Sequence, residues 1–450
     1  MTAWRPRLGV AEQLDAASLG LFRIALGAMG ALAALRFFTH GWIDQYYVEP
    51  HIFFSYWGFS WIRPWPAPWM HVHYAVIFLS AVLVALGVWT RVACGVLALT
   101  FGYAHFCDQT NYLNHYYLFT LLALLGTVLP LDRYAALRPA AFTRVIGSSP
   151  AYRPTPTTVP AWAVGLVRFQ LGVVYVFGAL GKIGGDWLLH GQPLRIWLAA
   201  NAELPVLGRF FHLRATALAF SWAGFLFDLT IVGFLSWRRT RAPAYAALVV
   251  FHVLTALLFR IGLFPWMMIA FAPIFFDPSW PRRGRPPPAP SAASTAPSSL
   301  GLAAAGLYAF VQLAMPLRSH LYPGNVLWSE EGFRFSWKVM LIEKVGDLEL
   351  AIDDATGARS YVEARDRLTP IQLRMVSTQP DMILQFAHVV AAEYAARGLG
   401  PVRVSARSHV SFNGRPHAPL VDPDCDLAAL RDTLAPKLWI TPGPAEPLAF

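Results

Sequence analysis

Nine apolar runs dominate the first 316 residues of this 450-residue chain, near 18–37, 71–90, 92–107, 115–131, 161–181, 214–236, 243–259, 262–276 and 299–316. A membrane-spanning helix needs about 20 mostly apolar residues. The runs therefore predict an all-α polytopic bundle of eight or nine transmembrane helices, the third, fourth and eighth being short. Composition closes off the soluble alternative. Hydrophobic residues make up 56% and charged residues 14%, against about 25% charged in an average soluble protein. The same figures exclude a disordered chain, a collagen and a disulfide-rich secreted scaffold.

Charge placement predicts an orientation. The net charge is +10, and basic residues collect in cytoplasmic loops. With nine spans, Arg5 and Arg7, the Arg133–Arg153 loop, Arg238-Arg239-Thr240-Arg241 and the Arg282–Arg285 loop all fall on one side. The other side is sparse, with Arg63 and Arg260; the 182–213 loop fits least well. The N-terminus is thus expected in the cytoplasm and the C-terminal region outside. Positions 1–17 are polar and the first run exceeds a signal h-region, so no cleavable signal is expected. No nucleic-acid motif accompanies the basic residues, so no nucleic-acid partner is expected.

Two domains are expected: a membrane domain over 1–316, with a Pro-rich cytoplasmic loop at 282–298, and an extracytoplasmic domain over 317–450. The second reads as a small β-rich α+β unit. Phe333–Glu343, Asp347–Ile352, Ser360–Ala364 and Val402–Phe412 read as strands, and Asp381–Arg397 as a helix. Asp353–Gly357 and Asn413-Gly414 read as hairpin turns. The three cysteines, Cys94, Cys107 and Cys425, have no metal-ligand spacing, and neither a metal nor a disulfide framework is expected.

Lysine usage points to chemistry. Only four of the 36 basic residues are lysines, and Lys182 is the one lysine before Lys338. It sits in Gly181-Lys182-Ile183-Gly184-Gly185-Asp186-Trp187, after the apolar run 161–180. The plainer reading is a lysine snorkelling at a helix end. The sharper one is a base. Apolar surroundings disfavour an ammonium, and a neutral amine can take a proton near pH 7 where a guanidinium cannot. Tyr175 and Arg168 lie seven and fourteen residues back, on the same helix face. An ionisable residue in a span is a functional candidate by default. Arg168 could equally pair with a carboxylate such as Asp228, and Arg23 in the first span has the same standing.

A second polar cluster, Asp108–Leu118, joins the third and fourth runs. It reads either as an interfacial cap with an aromatic belt or as a site where Asn114 and His115 orient and protonate a ligand. His71 and His73 would point apart on a helix. His252, inside the seventh run, reads first as a hydrogen-bonded core histidine.

Taken in order, these segments resemble the vitamin K-dependent gamma-glutamyl carboxylases and the wider bacterial HTTM (horizontally transferred transmembrane) group. The resemblance runs from Asp15 to Trp337. It is carried by Leu21-Phe22-Arg23, Asp108–Leu118, Val167–Gln170, Val174–Trp187, Phe251-His252, Phe259–Met268, Asp277–Pro281 and Phe335-Ser336-Trp337. It implies an integral membrane enzyme that couples oxygenation of a reduced vitamin K-type lipid quinone to carboxylation of glutamate in a peptide or protein, with dioxygen and carbon dioxide as co-substrates and no metal. It implies that Lys182 deprotonates the hydroquinone, whose reaction with oxygen then yields an epoxide and a base strong enough to take a glutamate gamma proton. It places Asn114 and His115 beside that site, and His252 within it. Asp108, Tyr175, Arg168 and Trp187 are further candidates for quinone binding. The animal enzymes carry two adjacent lysines where this chain has Gly181-Lys182. Quinone oxygenation without carboxylation, and a non-enzymatic transporter or lipid-binding protein, are the competing readings. High arginine and low lysine suggest a GC-rich bacterial genome, and the expected location is a bacterial cytoplasmic membrane.

Overall fold

A computed structural model describes residues 12–137, 157–259, 261–284 and 299–445. The expectations for residues 1–11, for Arg138, Arg144, Arg153 and Arg260, and for the Pro-rich stretch from 285 to 298 lie outside the described residues.

The protein is mostly helical, and each of the nine apolar runs coincides with a helix. These are α1 (Ala17–Thr39), α2 (Ala67–Leu86), α3 (Thr90–Phe106), α4 (Asn114–Gly126), α5 (Ala161–Gly181), α6 (Arg214–Ser236), α7 (Arg241–Leu258), α8 (Phe264–Phe271) and α9 (Ser299–Leu317). Six of them, α1, α2, α5, α6, α7 and α9, are long and apolar enough to cross a membrane. The other three are shorter. α3 has 17 residues, α4 has 13, and α8 has 8 with a 3-10 turn carrying it on to Phe275.

Local chemistry sets the ends of α2. Pro68 stands in its first turn, where a missing N–H costs nothing, and Gly87 closes it at φ 77°, a conformation other residues resist. α1 lies hard against α2: a methyl on Gly27 would meet the Ala85 backbone nitrogen at 2.3 Å. Arg23, fully buried, supplies a cross-brace. Its guanidinium donates to the carbonyls of Ala85, Leu131, Tyr134 and Ala135 at 2.7–3.3 Å. Five donors in one planar fork suit a place where several carbonyls are left over at helix ends. The brace accounts for Arg23 without a ligand.

One end of the bundle gathers the start of α1, the end of α4, the start of α5 and the segment after α8. Strands β1 (Gln13–Asp15) and β2 (Thr158–Pro160) pair there. Arg282 binds Asp15 at 2.6 Å, and Arg133 donates to the Thr158 carbonyl. Asp108, Asn114 and Lys182 lie toward the other end, which carries the C-terminal region.

That region holds an antiparallel sheet of β3 (Lys344–Asp353), β4 (Arg359–Glu363), β5 (Arg403–Phe412) and β6 (Arg415–Pro419), ordered β4-β3-β5-β6. β5 alternates buried and open positions, as one covered sheet face requires. Helices α10 (Pro370–Val376) and α11 (Pro380–Ala396) accompany the sheet. Ile383, Phe386 and Val390 of α11 share a core with Leu350, Val404 and Phe412. Phe54, from the segment between α1 and α2, is fully buried in that same core. The Asp353–Gly357 and Asn413-Gly414 turns stand as expected, with Gly414 at φ 83°.

Phe333–Glu343 is not a strand. It runs as successive turns with Phe335, Trp337 and Met340 at φ 57–62°. The segment is wedged between membrane helices and sheet. Trp337, 1% exposed, stacks on Tyr117 of α4 at 4.8 Å, and the segment belongs to no sheet among the described residues.

Candidate functional site

α5 ends at Gly181, and Lys182 caps it with its side chain turned back along the helix. Its Nζ donates to the Gly178 carbonyl at 3.1 Å and to Asp228 Oδ2 of α6 at 2.7 Å. The residue is 6% exposed. Gly178 makes the meeting close: a methyl there would stand 3.3 Å from Asp228 Oδ2. Trp187 covers the ammonium group, with its ring centroid 5.2 Å from Nζ, and its own Nε1–H goes to the Ser221 carbonyl at 2.8 Å. An aromatic face attracts a cation, so the lysine is held from three directions.

This pair forms part of the wall of a cavity of about 390 Å³, bounded by α5, α6, α7, α8 and the 339–340 segment. Most of the lining is apolar, including Val174, Phe220, Phe251, Leu258 and Phe259. Apart from Thr255, whose hydroxyl donates to the Phe251 carbonyl, polar side chains enter at two places. One is Lys182 with Asp228. The other is Tyr175 with His252, whose hydroxyl and Nε2 lie 2.9 Å apart. Both histidine and tyrosine are buried. A small-molecule site is typically a mostly apolar hollow of ~300–1,000 Å³ with a few convergent polar groups. This cavity has that form.

Of the eight site residues read from the sequence, Lys182, Tyr175, His252 and Trp187 meet at this cavity. The other four do not line it. Arg168 shares a face with Lys182 but lies about 21 Å away along the axis, at 1.5 Å per residue. Its Nε and Nη2 donate to the carbonyls of Ile274 and Phe276 at 2.8 and 3.0 Å, where the chain leaves α8. Asp228 pairs with Lys182 rather than with Arg168. Asp108 accepts from the Thr110 N–H at 2.9 Å and from Gln372 of α10 at 3.1 Å, tying the α3–α4 junction to the C-terminal region. Burial raises its carboxyl to about 6, against the pull of those donors. Asn114 accepts from Tyr112 and donates to the Lys338 carbonyl at 3.1 Å, so it fixes the segment whose next two residues wall the cavity. His115 is buried behind Phe264. That ring lies 6.2 Å from His115 and 6.0 Å from His252, and it separates the two.

Asp228 lines the cavity beside Lys182, and the sequence alone does not single it out. A single carboxylate within Phe225–Thr230 was the available signal. Asp186 was visible only as part of a motif. It binds Arg415 through both oxygens, at 2.5 and 2.9 Å, and accepts from Asn413 at 2.9 Å. The β5–β6 turn is thereby fastened to the loop that follows Lys182.

Comparison with known families gives two matches. The HTTM domain matches residues 11–280, more than half of the chain. The lumenal domain of vitamin K-dependent gamma-carboxylase matches residues 297–446. The chain belongs to the vitamin K-dependent gamma-carboxylase family. It is a membrane protein with a carboxylase-like pair of domains, and its family implies a vitamin K cofactor. No solved structure matches it.

Proposed function

We propose that this chain is a gamma-glutamyl carboxylase-like membrane enzyme that couples oxygenation of a reduced vitamin K-type quinone to carboxylation of a peptide glutamate. The observation that carries the reading is the Lys182–Asp228 contact, 2.7 Å long, on the wall of a mostly apolar cavity. An apolar hollow with two polar points fits a quinone ring and the start of its hydrocarbon tail. When bound, the reduced quinone supplies through its reaction with dioxygen the base that removes the glutamate gamma proton.

The protein's own groups have separable tasks in this reading. Lys182 and Asp228 exist either as ammonium and carboxylate or as amine and carboxylic acid, with the same net charge. In the second form Lys182 Nζ accepts a hydroxyl proton while Asp228 holds its own. Tyr175 and His252 orient the ligand from the α7 side. Trp187 and the apolar lining keep water from competing for the proton. Asn114 holds the 338–340 wall, and a turn of the Phe264 ring is what would admit a ligand to His115. Arg168 and Asp108 serve the scaffold.

The domains are read as 1–316 in a bacterial cytoplasmic membrane and 317–450 outside it, with the N-terminus in the cytoplasm. The clustering of helix ends at two opposite faces supports nine crossings. So do Trp57, Trp61, Trp65 and Trp69, all 48–73% exposed, in and just after the α1–α2 connection on the outer side. Interfacial tryptophan is a membrane-boundary signature.

The deciding experiment uses protein in nanodiscs with reduced vitamin K or menaquinone, dioxygen, labelled bicarbonate and a glutamyl peptide. Quinone epoxide and acid-stable peptide label are both expected, and both are expected to vanish in Lys182→Ala. Epoxide without label would replace this reading by quinone oxygenation alone. Neither product, from protein that binds the quinone, would replace it by lipid binding or transport.

A further inference from the structure

Residues 187–214, which lead from the end of α5 into α6, carry three arginines and a single acid, Glu203. On the side read as outer, that excess runs against the rule that collects basic residues in the cytoplasm. The last part of the connection is a compact stack of turns. Gly208, Phe210, Phe211 and Leu213 donate their N–H groups to the carbonyls of Leu204, Leu207, Gly208 and Phe210. A methyl on Gly208 would collide with the Ala202 carbonyl, so the stack closes tightly there. Phe211 is its anchor, buried in one core with Trp187, Leu194 and Leu198.

The outward side of this stack is apolar and basic together. Val206, Leu207, Phe210 and Leu213 are 42–73% exposed. Val206 stands at φ 65°, a conformation that a β-branched residue resists. The Arg209 guanidinium lies 4.7 Å from the Phe210 ring centroid, and Arg214 donates to the Leu189 carbonyl at 3.2 Å. Neither arginine has a carboxylate partner among the described residues. The preceding carbonyl, of Leu188, takes the indole N–H of Trp222 at 3.1 Å. Leu189 and Trp222 are both exposed, so these two bonds join the turn to the open side of α6. That side continues through Leu226 and Leu229, at helical spacing, on a helix long and apolar enough to cross a membrane. The stack therefore stands at the head of a lipid-facing stripe. An acidic soluble partner would account for the arginines and leave the four apolar side chains beside that stripe without a purpose.

We infer that the 206–214 turn is seated in the headgroup layer of the membrane and binds an anionic phospholipid, with Arg209 and Arg214 on its phosphate. A guanidinium fork matches phosphate oxygens, and the arginine stems can lie along apolar surface while their heads stay polar. Leu207 and Phe210 reach the upper acyl carbons, as the apolar face of an interfacial segment does. Trp187 and Leu194, which share the Phe211 core, also line the cavity at Lys182, so the lipid contact steadies that wall. The inference is independent of the carboxylase reading.

Two measurements on full-length protein in nanodiscs test it. For the first, Leu207→Cys or Thr356→Cys, with Cys94, Cys107 and Cys425 replaced by alanine, carries a bimane label. A lipid with a nitroxide near its headgroup is expected to quench the label at 207 at least about threefold more than the one at 356. Iodide in the water is expected to do the reverse. Equal iodide quenching at the two positions, without lipid quenching at 207, would place the turn in solvent and overturn the inference. The second measurement takes nanodiscs with equal phosphatidylglycerol and phosphatidylcholine and counts the lipids that stay on the released protein by native mass spectrometry. The wild type is expected to enrich phosphatidylglycerol about tenfold, and Arg209→Gln with Arg214→Gln to fall within about twofold of the bulk ratio. Arg209→Lys with Arg214→Lys is expected to keep most of the enrichment. Enrichment unchanged in the glutamine pair would overturn the assignment of the headgroup. Should that pair fail to assemble, the label at 207 decides. Its iodide quenching is expected to fall at least about twofold when phosphatidylglycerol replaces phosphatidylcholine. An equal value in both lipids would overturn the assignment.

Discussion

Lys182 and Asp228 meet in a place with little water, so each depends on the other for a partner. Removing a positioned base typically lowers a rate by ~10²–10⁴. Lys182→Ala is therefore expected to lower quinone epoxidation by at least ~100-fold, measured as epoxide formed per enzyme. Lys182→Arg is expected to fare no better, although it keeps the charge, because a guanidinium does not give up its proton. Retained epoxidation in either variant would remove Lys182 from the chemistry. Tyr175 permits a finer test. Tyr175→Phe deletes the hydroxyl that faces His252 Nε2 at 2.9 Å and keeps the ring. A loss of ~1 kcal/mol in stability is expected, as for one neutral hydrogen bond, with quinone KM raised and kcat nearly unchanged. A collapse of kcat instead would make the tyrosine a participant. The lysine was legible in the sequence because its scarcity singled it out. Its partner was not, because a lone carboxylate in an apolar run declares that it needs a cation without saying which one. Arg168 and Lys182 were both within reach of such a guess, and only packing decides between them.

At the scale of elements, two latches join the halves, and both can be probed. Asp186 holds the β5–β6 turn through Arg415 and Asn413. Hydrogen bonds to charged groups are worth ~1.5–3 kcal/mol each. Asp186→Asn is expected to lower the melting temperature and expose the β5–β6 turn to limited proteolysis, while the cavity at Lys182 still binds quinone. An unchanged digestion pattern would mean that the turn is held elsewhere. Asp108 is the second latch, and it titrates. Burial raises its carboxyl from the usual range to about 6. The folded protein therefore binds this proton more tightly than the unfolded chain does. Stability from this group is fully present below about pH 4 and is lost as pH rises through about 6. Two pKa units amount to roughly 3 kcal/mol at most. Wild type is thus expected to gain stability between pH 7 and pH 5 relative to Asp108→Asn, seen as a difference in melting temperature between the two proteins. A parallel pH dependence would show that Asp108 is not the titrating group. These joints also mark where sequence reading reached its limit. The apolar run 214–236 coincides with helix α6 because an apolar run long enough to span leaves one solution for its backbone polar groups. Phe333–Glu343 looked like a strand because its residues suit one. Its conformation is set by Trp337 packing on Tyr117 and by Asn114 gripping the Lys338 carbonyl, contacts more than 200 residues apart in sequence.

For the whole molecule, the decisive quantity is the parity of the membrane crossings. Six helices are long enough by themselves. An even number of crossings would return the C-terminal region to the side on which the chain starts, and this structure places the two at opposite ends of the bundle. The start of α1 is clipped to Thr158–Pro160 and Arg282, whereas the C-terminal region packs on Asp108, Asn114 and Asp186. Short helices can complete the odd count because they do not work alone. α3 and α4 pack on each other and on the α1–α2 pair, and α8 continues as a 3-10 turn to Phe275 beneath Arg168. Non-standard backbone is tolerated at membrane depth where protein surrounds it. The expected topology is therefore nine crossings, with the Arg238–Arg241 turn inside and the C-terminal region outside. Single cysteines placed at Thr240 and at Thr356, in a background with Cys94, Cys107 and Cys425 replaced by alanine, would report it in intact cells through a membrane-impermeant maleimide. Labelling is expected at 356 in intact cells and at 240 only after lysis. The reverse pattern would invert the molecule, and labelling of both in intact cells would break the odd count.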